Sequence, residues 1–158
     1  MMKNVLTLPD SFEALSALDL RRLRQVHSNG RCPDISDLNG IAEGLILDPS
    51  WFERMRIWRG KVFQLAGQDR ISGINRLGIG PFEFRRYRFT ARKTRSVFSD
   101  RDIILLDHDR SDNPWWVRRY HDELVEMRPG LYLTCSHLRI NGQLRYVSYF
   151  AFDFGKKQ

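Results

Sequence analysis

The chain has little of several things. Its 158 residues include two cysteines, six prolines and, by count along the sequence, only five lysines. Cys32 and Cys135 stand far apart with no CxxC partner, so a disulfide scaffold is excluded and both thiols are expected free. No apolar run approaches the ~20 residues of a membrane-spanning helix. Met1-Met2-Lys3-Asn4 leads into an apolar stretch too short for a secretory leader, with Pro9 and Asp10 close behind, so a cytoplasmic location is expected. There is no low-complexity segment and no internal repeat. Walker A, GxSxG, HExxH and EF-hand patterns are absent. Gly73-Ile74-Asn75-Arg76-Leu77-Gly78 lacks the spacing of a dinucleotide fingerprint. These absences remove several common enzyme classes and leave catalysis inside a barrel open.

What is present points to β structure. Aromatic residues make up 12% of the chain and concentrate after Trp51. Trp115 to Phe154 reads as three antiparallel strands joined by two tight turns. Arg128-Pro129-Gly130-Leu131 puts Pro where φ near −65° is wanted and Gly where φ is positive. Ile140-Asn141-Gly142-Gln143 places Asn-Gly between two β-rich runs, a strong hairpin signal.

Ahead of this meander, residues 10–28 read as helical. Asp10 or Ser11 is the cap, Ser16 to Asp19 marks a break, and Asn29-Gly30 is the stop. A loop follows over 31–37. Leu38 to Leu47 is the first strand, Asp48-Pro49-Ser50 a turn into a short helix over Trp51 to Met55, and Ile57 to Leu65 the next strand. Residues 66–81, with four glycines and Pro81, read as a long irregular segment, or as two short, poorly signalled strands. Phe82 to Val97 is a long bent strand and Asp102 to His108 another. The expected fold is mainly β: an antiparallel up-and-down barrel of about seven to eight strands, closed to remove its edges. Residues 1–37 form an N-terminal helical segment packed on a barrel of residues 38–154.

Strand alternation locates the candidate chemistry. Phe82 to Ala91 and Trp115 to Met127 mix aromatic and charged residues on both faces, unlike a plain core strand. A barrel interior holding some polar groups explains this, as do ion-pair ladders on the outer face. His121-Asp122-Glu123 puts His121 and Glu123 on one face and Asp122 on the other. Such a cluster serves acid–base chemistry or pairs with the many arginines. His108, between Asp107 and Asp109, reads as a solvated strand end, and His27 as a helix-end residue. Cys135 and His137 share a face, but two soft ligands make no metal site, and neither metal nor cofactor is expected. Lys61 either points inward to meet a carboxylate or enolate, or outward into solvent. Asn75 could bond a ligand or serve a turn. Tyr132 could offer its phenol to the interior or pack against Trp116 or Tyr146.

Trp58-Arg59-Gly60-Lys61-Val62-Phe63, then Asn75, then Asp122-Glu123 ahead of Pro129-Gly130-Leu131-Tyr132-Leu133 form a pattern. It resembles that of small bacterial proteins with calycin-type, lipocalin-like barrels. The resemblance implies a cavity for a small apolar or amphipathic ligand and singles out Trp58, Lys61, Asn75, Asp122 and Tyr132.

Three functions are carried forward. The first is binding of an apolar molecule with an anionic or carbonyl end, held by Trp58, Asn75, His121 and Tyr132 and oriented by Lys61, Arg86 or Arg88. The second is a barrel isomerase or cyclase acting on a polyene, polyketide or lipid-derived substrate. Lys61, Asp122 and Tyr132 are its catalytic candidates. The third is single-stranded nucleic-acid binding, suggested by a net charge of +7 and the run Phe84-Arg85-Arg86-Tyr87-Arg88-Phe89.

Overall fold

The computed structural model describes residues 7–155. Eight antiparallel strands close into an up-and-down barrel: β1 (Gly40–Asp48), β2 (Trp58–Leu65), β3 (Ile71–Ile79), β4 (Phe82–Arg95), β5 (Asp102–Asp107), β6 (Tyr120–Arg128), β7 (Leu131–Ile140) and β8 (Gln143–Asp153). Each strand pairs with its sequence neighbour, and β1 pairs with β8 to close the ring. Two helices precede the barrel. In α1 (Phe12–Ser16) the Ser11 hydroxyl accepts from the Ala14 amide, and in α2 (Leu20–Asn29) the Asp19 carboxylate accepts from the Arg22 amide. A short helix, α3 (Ser50–Glu53), links β1 to β2.

The expected irregular segment is instead β3. Its glycines are packing positions. A Cβ at Gly73 would sit 2.2 Å from the Phe89 ring, and one at Gly78 2.0 Å from the Arg59 guanidinium. The strand keeps its neighbours close by having no side chain there. A second correction concerns Trp115 to Arg119, which are not strand. Pro114 accepts hydrogen bonds from the Val117 and Arg118 amides, forming a helical turn, and β6 begins only at Tyr120. The two tight turns of the meander stand where expected, with Gly130 and Gly142 at positive φ.

The barrel has two cores. Inside, Phe63, Phe89, Phe150 and Phe152 pack with Ile71, Ala91, Leu106, Leu124 and Tyr132. Outside, α1 and α2 lay Leu15, Leu23 and Val26 over Ile103, Val125, Met127, Leu133, Cys135 and Tyr149. The strands β5–β8 are therefore apolar on both faces, which is why their sequence does not alternate cleanly.

Connections β1–β2, β3–β4, β5–β6 and β7–β8 all lie at one end of the barrel, here called the mouth. At the opposite end, the segment around Ile35 and Leu38 packs against the interior core. Among the described residues no helix is long and apolar enough to cross a membrane.

Candidate functional site

Near the mouth, the barrel interior holds a polar cluster. Lys61 and Asn75 are directly opposed on β2 and β3, and Asp122 and Ser136 on β6 and β7. His108, one residue past β5, lies between the two pairs. All five are buried.

A bulge builds the β2 side. The β2–β3 register slips between Trp58 and Gly60, so Trp58 and Lys61, three residues apart, both face inward. The bulge requires glycine. Gly60 has φ +133°, and a Cβ there would lie 2.2 Å from the Ala42 carbonyl oxygen. On β4 a second slip leaves Tyr87 unopposed at φ 65°, rare for a bulky residue. That bulge turns the Tyr87 carbonyl to accept from Asn75 Nδ2 at 2.8 Å.

The hydrogen bonds fix the chemistry of each group. Lys61 Nζ donates to Asn75 Oδ1 at 2.6 Å, and the Trp58 indole donates to the same oxygen at 3.0 Å. Two donors converging on one atom set the orientation of the Asn75 amide. Lys61 Nζ also donates to His108 Nε2 at 3.1 Å. An ammonium only donates, so Nε2 is the acceptor and Nδ1 carries the proton. That Nδ1 closes no hydrogen bond; the Leu106 carbonyl pulls on its proton weakly, and Asp122 Oδ2 lies 3.9 Å away. The other Asp122 oxygen accepts from Ser136 Oγ at 2.6 Å. The chain thus runs Lys61, His108, Asp122, with slack at its last link.

Burial sets the proton affinities. It pulls the Lys61 amine down to about 8, against the opposing pull of Asp122. His108 is held well below the ordinary imidazole value by burial and by the Lys61 charge, so it is neutral. Burial pushes Asp122 up, with Lys61 and the Ser136 hydroxyl pulling back. The Phe89 ring lies 4.4 Å below the ammonium.

The structure brings Trp58, Lys61, Asn75 and Asp122 together. Arg86 and Arg88 are exposed and line a hollow of about 330 Å³ with Ile74, Tyr87, Asn113 and Pro114. Two of its lining residues bond to the cluster: Tyr87 through Asn75, and Asn113 by donating to the His108 carbonyl at 2.9 Å and the Arg88 carbonyl at 2.7 Å. Tyr132 is interior but apart from this group, edge-on to Phe154, with burial and the Glu126 charge raising its phenol to about 12.

His121 is outside the barrel wall. Its Nε2 bonds Glu123 Oε2 at 2.7 Å, and Glu123 also accepts from Ser96 Oγ at 2.5 Å and the Val97 amide at 3.2 Å. The expected split of this triplet between two faces is what the structure has: Asp122 in, His121 and Glu123 out. His108 overturns its expectation as a solvated strand end, being 4% exposed. The parity of Ile104, Leu106 and His108 was the available signal, masked by flanking Asp107 and Asp109. Ser136 carried no signal beyond its opposition to Asp122. Among the described residues no group of three or more His, Cys, Asp or Glu side chains is arranged to hold a metal.

No protein-family model matches the chain, and no curated protein does. A crystal structure of a protein from Thermomonospora curvata is similar in fold. It has TM-score 0.59 and 14% sequence identity, over 88% of this chain and 89% of that one. The likeness extends to the fold alone.

Proposed function

We propose that the protein binds a small molecule with an apolar body and an anionic or carbonyl end, received at the barrel mouth by Lys61. The observation that carries this reading is a surplus of buried donors. Lys61 uses two of its three ammonium protons on described side chains, and His108 Nδ1–H has no well-aligned acceptor, only the Leu106 carbonyl nearby. A buried donor without an acceptor costs about 1–3 kcal/mol. Lowering the Lys61 amine from 10.5 to about 8 corresponds to about 3 kcal/mol more. A ligand oxygen supplies the missing acceptor. Trp58, wedged against Phe150 and Phe152, and the aromatic interior below it suit an apolar body. Arg86 and Arg88 stand at the adjoining hollow, where they draw an anion in.

Decanoate and decanal, an acid and an aldehyde of equal length, test this by quenching of tryptophan emission. Binding of at least one, lost on Lys61→Met with the fold intact by circular dichroism, is expected. Unchanged binding by Lys61→Met removes Lys61 as the receptor. Mass spectrometry of the native protein, with its solvent extract, identifies any molecule that co-purifies.

The Lys61–His108–Asp122 chain favours a second reading, an isomerase or cyclase. His108 Nε2 takes a proton from Lys61 Nζ as Nδ1 gives one to Asp122, and the neutral amine then removes a proton from one substrate carbon and returns it at another. Asp122→Asn then abolishes turnover while leaving ligand affinity within about twofold; parallel loss of both places Asp122 in binding alone.

A further inference from the structure

The four connections at the mouth differ from the rest of the molecule in composition. Taken with the strand residues that flank them (49–59, 79–88, 108–119 and 139–145), they hold eleven arginines, no lysine and four carboxylates. That excess equals the +7 of the whole chain, so everything outside these four segments is formally neutral. Several of the arginines are uncommitted. Arg54, Arg85, Arg86, Arg139 and Arg145 form no ion pair within 4 Å among the described residues, whereas Arg56, Arg110 and Arg118 do.

The same segments carry eight of the twelve large hydrophobic side chains left exposed among the described residues. Three are tryptophans, Trp51, Trp115 and Trp116. The β3–β4 tip adds Ile79 at 70% and Phe82 at 74% exposure, with Phe84 behind them on the Phe82 face of the strand. β4 pairs with β5 only from Thr90 onward, so this hairpin projects beyond the barrel wall. Apolar tips and free guanidinium groups therefore ring one opening, on four separate connections.

We propose that this rim docks on the surface of an anionic lipid bilayer, with Ile79, Phe82 and the three tryptophans entering the headgroup boundary and the arginines meeting lipid phosphates. Tryptophan favours that boundary, and each basic residue near an anionic leaflet adds about 1 kcal/mol. The aliphatic residues of the rim select a bilayer over nucleic acid, since Ile79, Met55 and Ile140 offer no ring for a base to stack on. A second copy seated face to face would bring two such excesses of positive charge together. The docking reading stands on the rim alone, independently of what the interior binds.

The test is flotation with vesicles of phosphatidylcholine alone and of equal parts phosphatidylcholine and phosphatidylglycerol, at low and high salt, with tryptophan emission followed in parallel. Binding to the anionic vesicles at least about tenfold stronger than to neutral ones is expected, weakened by salt and accompanied by a blue shift. The variant Ile79→Ser/Phe82→Ser, altered only at exposed positions, is expected to lose about tenfold in affinity for the anionic vesicles. Equal binding to both vesicle types overturns the proposal, as does an affinity untouched by that variant. An oligothymidylate that binds more tightly than the vesicles overturns it in favour of single-stranded nucleic acid. A stable dimer that the variant dissolves overturns it in favour of self-association. The variant keeps wild-type affinity for decanoate in solution, so failure of the rim and failure of the interior site read out separately.

Discussion

Two polar clusters on opposite sides of the barrel wall each combine a cation, an imidazole, a carboxylate and a serine hydroxyl, and differ in how completely they are bonded. Outside, beneath α2, the Arg101 guanidinium donates to His27 Nδ1 at 3.0 Å, which forces the proton onto Nε2, and Nε2 donates to the Glu123 carbonyl at 2.9 Å. The Glu123 carboxylate accepts from His121, Ser96 and Val97. Inside, the tautomer of His108 is the opposite one, and its Nδ1 proton closes no bond. Saturated bonding is what a cluster that ties α2 and the β4–β5 turn to the wall requires. A cluster with spare donors at a barrel mouth holds the fold less well than apolar packing would, and that shortfall is what the proposed ligand would make good.

The contrast breaks most visibly at Glu123. Burial pushes its carboxyl up, yet three donors more than reverse this and hold it below the ordinary value. Glu123→Ala strands those donors, and a loss of about 4 kcal/mol in denaturant unfolding is expected. A loss under about 1 kcal/mol at Glu123 would erase the distinction between the clusters.

Acid sharpens it next. Burial lowers His27 from 6.5 to about 4. Between those pH values the unfolded chain takes a proton that the folded one refuses. Stability therefore falls as pH drops from 6.5 to 4, by up to about 3 kcal/mol. His27→Gln, whose amide can replace both bonds, is expected to flatten that limb. Lys61 gives a slope of the same sign at the other end of the scale. Folded protein loses its proton near pH 8 and the unfolded chain near 10.5, so stability contributed by this group rises with pH across that window. Comparison of wild type with Lys61→Met isolates the rise.

The smallest effect is the most telling. Lys61→Met/Asp122→Asn removes both inner charges together, and a gain of about 1–2 kcal/mol in unfolding free energy is expected. Asp122→Asn alone, which leaves the ammonium without its counter-charge, should lose a similar amount. A double variant that is clearly less stable than wild type would make the inner cluster structural like the outer one.

The turns of the meander and the antiparallel order were legible because Pro-Gly and Asn-Gly signal locally. Ile71–Ile79 was not, because glycines that make room for the Phe89 ring and the Arg59 side chain look identical in sequence to glycines that make a loop. Parity separated Asp122 from His121 and Glu123 without help from the structure. It did not reveal that Lys61 faces in, because the bulge beside Gly60 shifts the β2 count by one, and it gave no hint that His108 lies between two opposed pairs. Arg86 and Arg88 stood out as a basic–aromatic run, whereas their place beside the hollow depends on the Tyr87 bulge, which no local pattern marks.

Closure of the ring has a kinetic meaning. Leu45 pairs with Ala151 across about two thirds of the chain, while every other strand pair joins sequence neighbours. Bringing those two positions together from a disordered chain costs about 4 kcal/mol in loop entropy. Hairpins β6–β7 and β7–β8 involve far shorter separations and are expected to form first, with the β1–β8 seam the last to zip and the first to part.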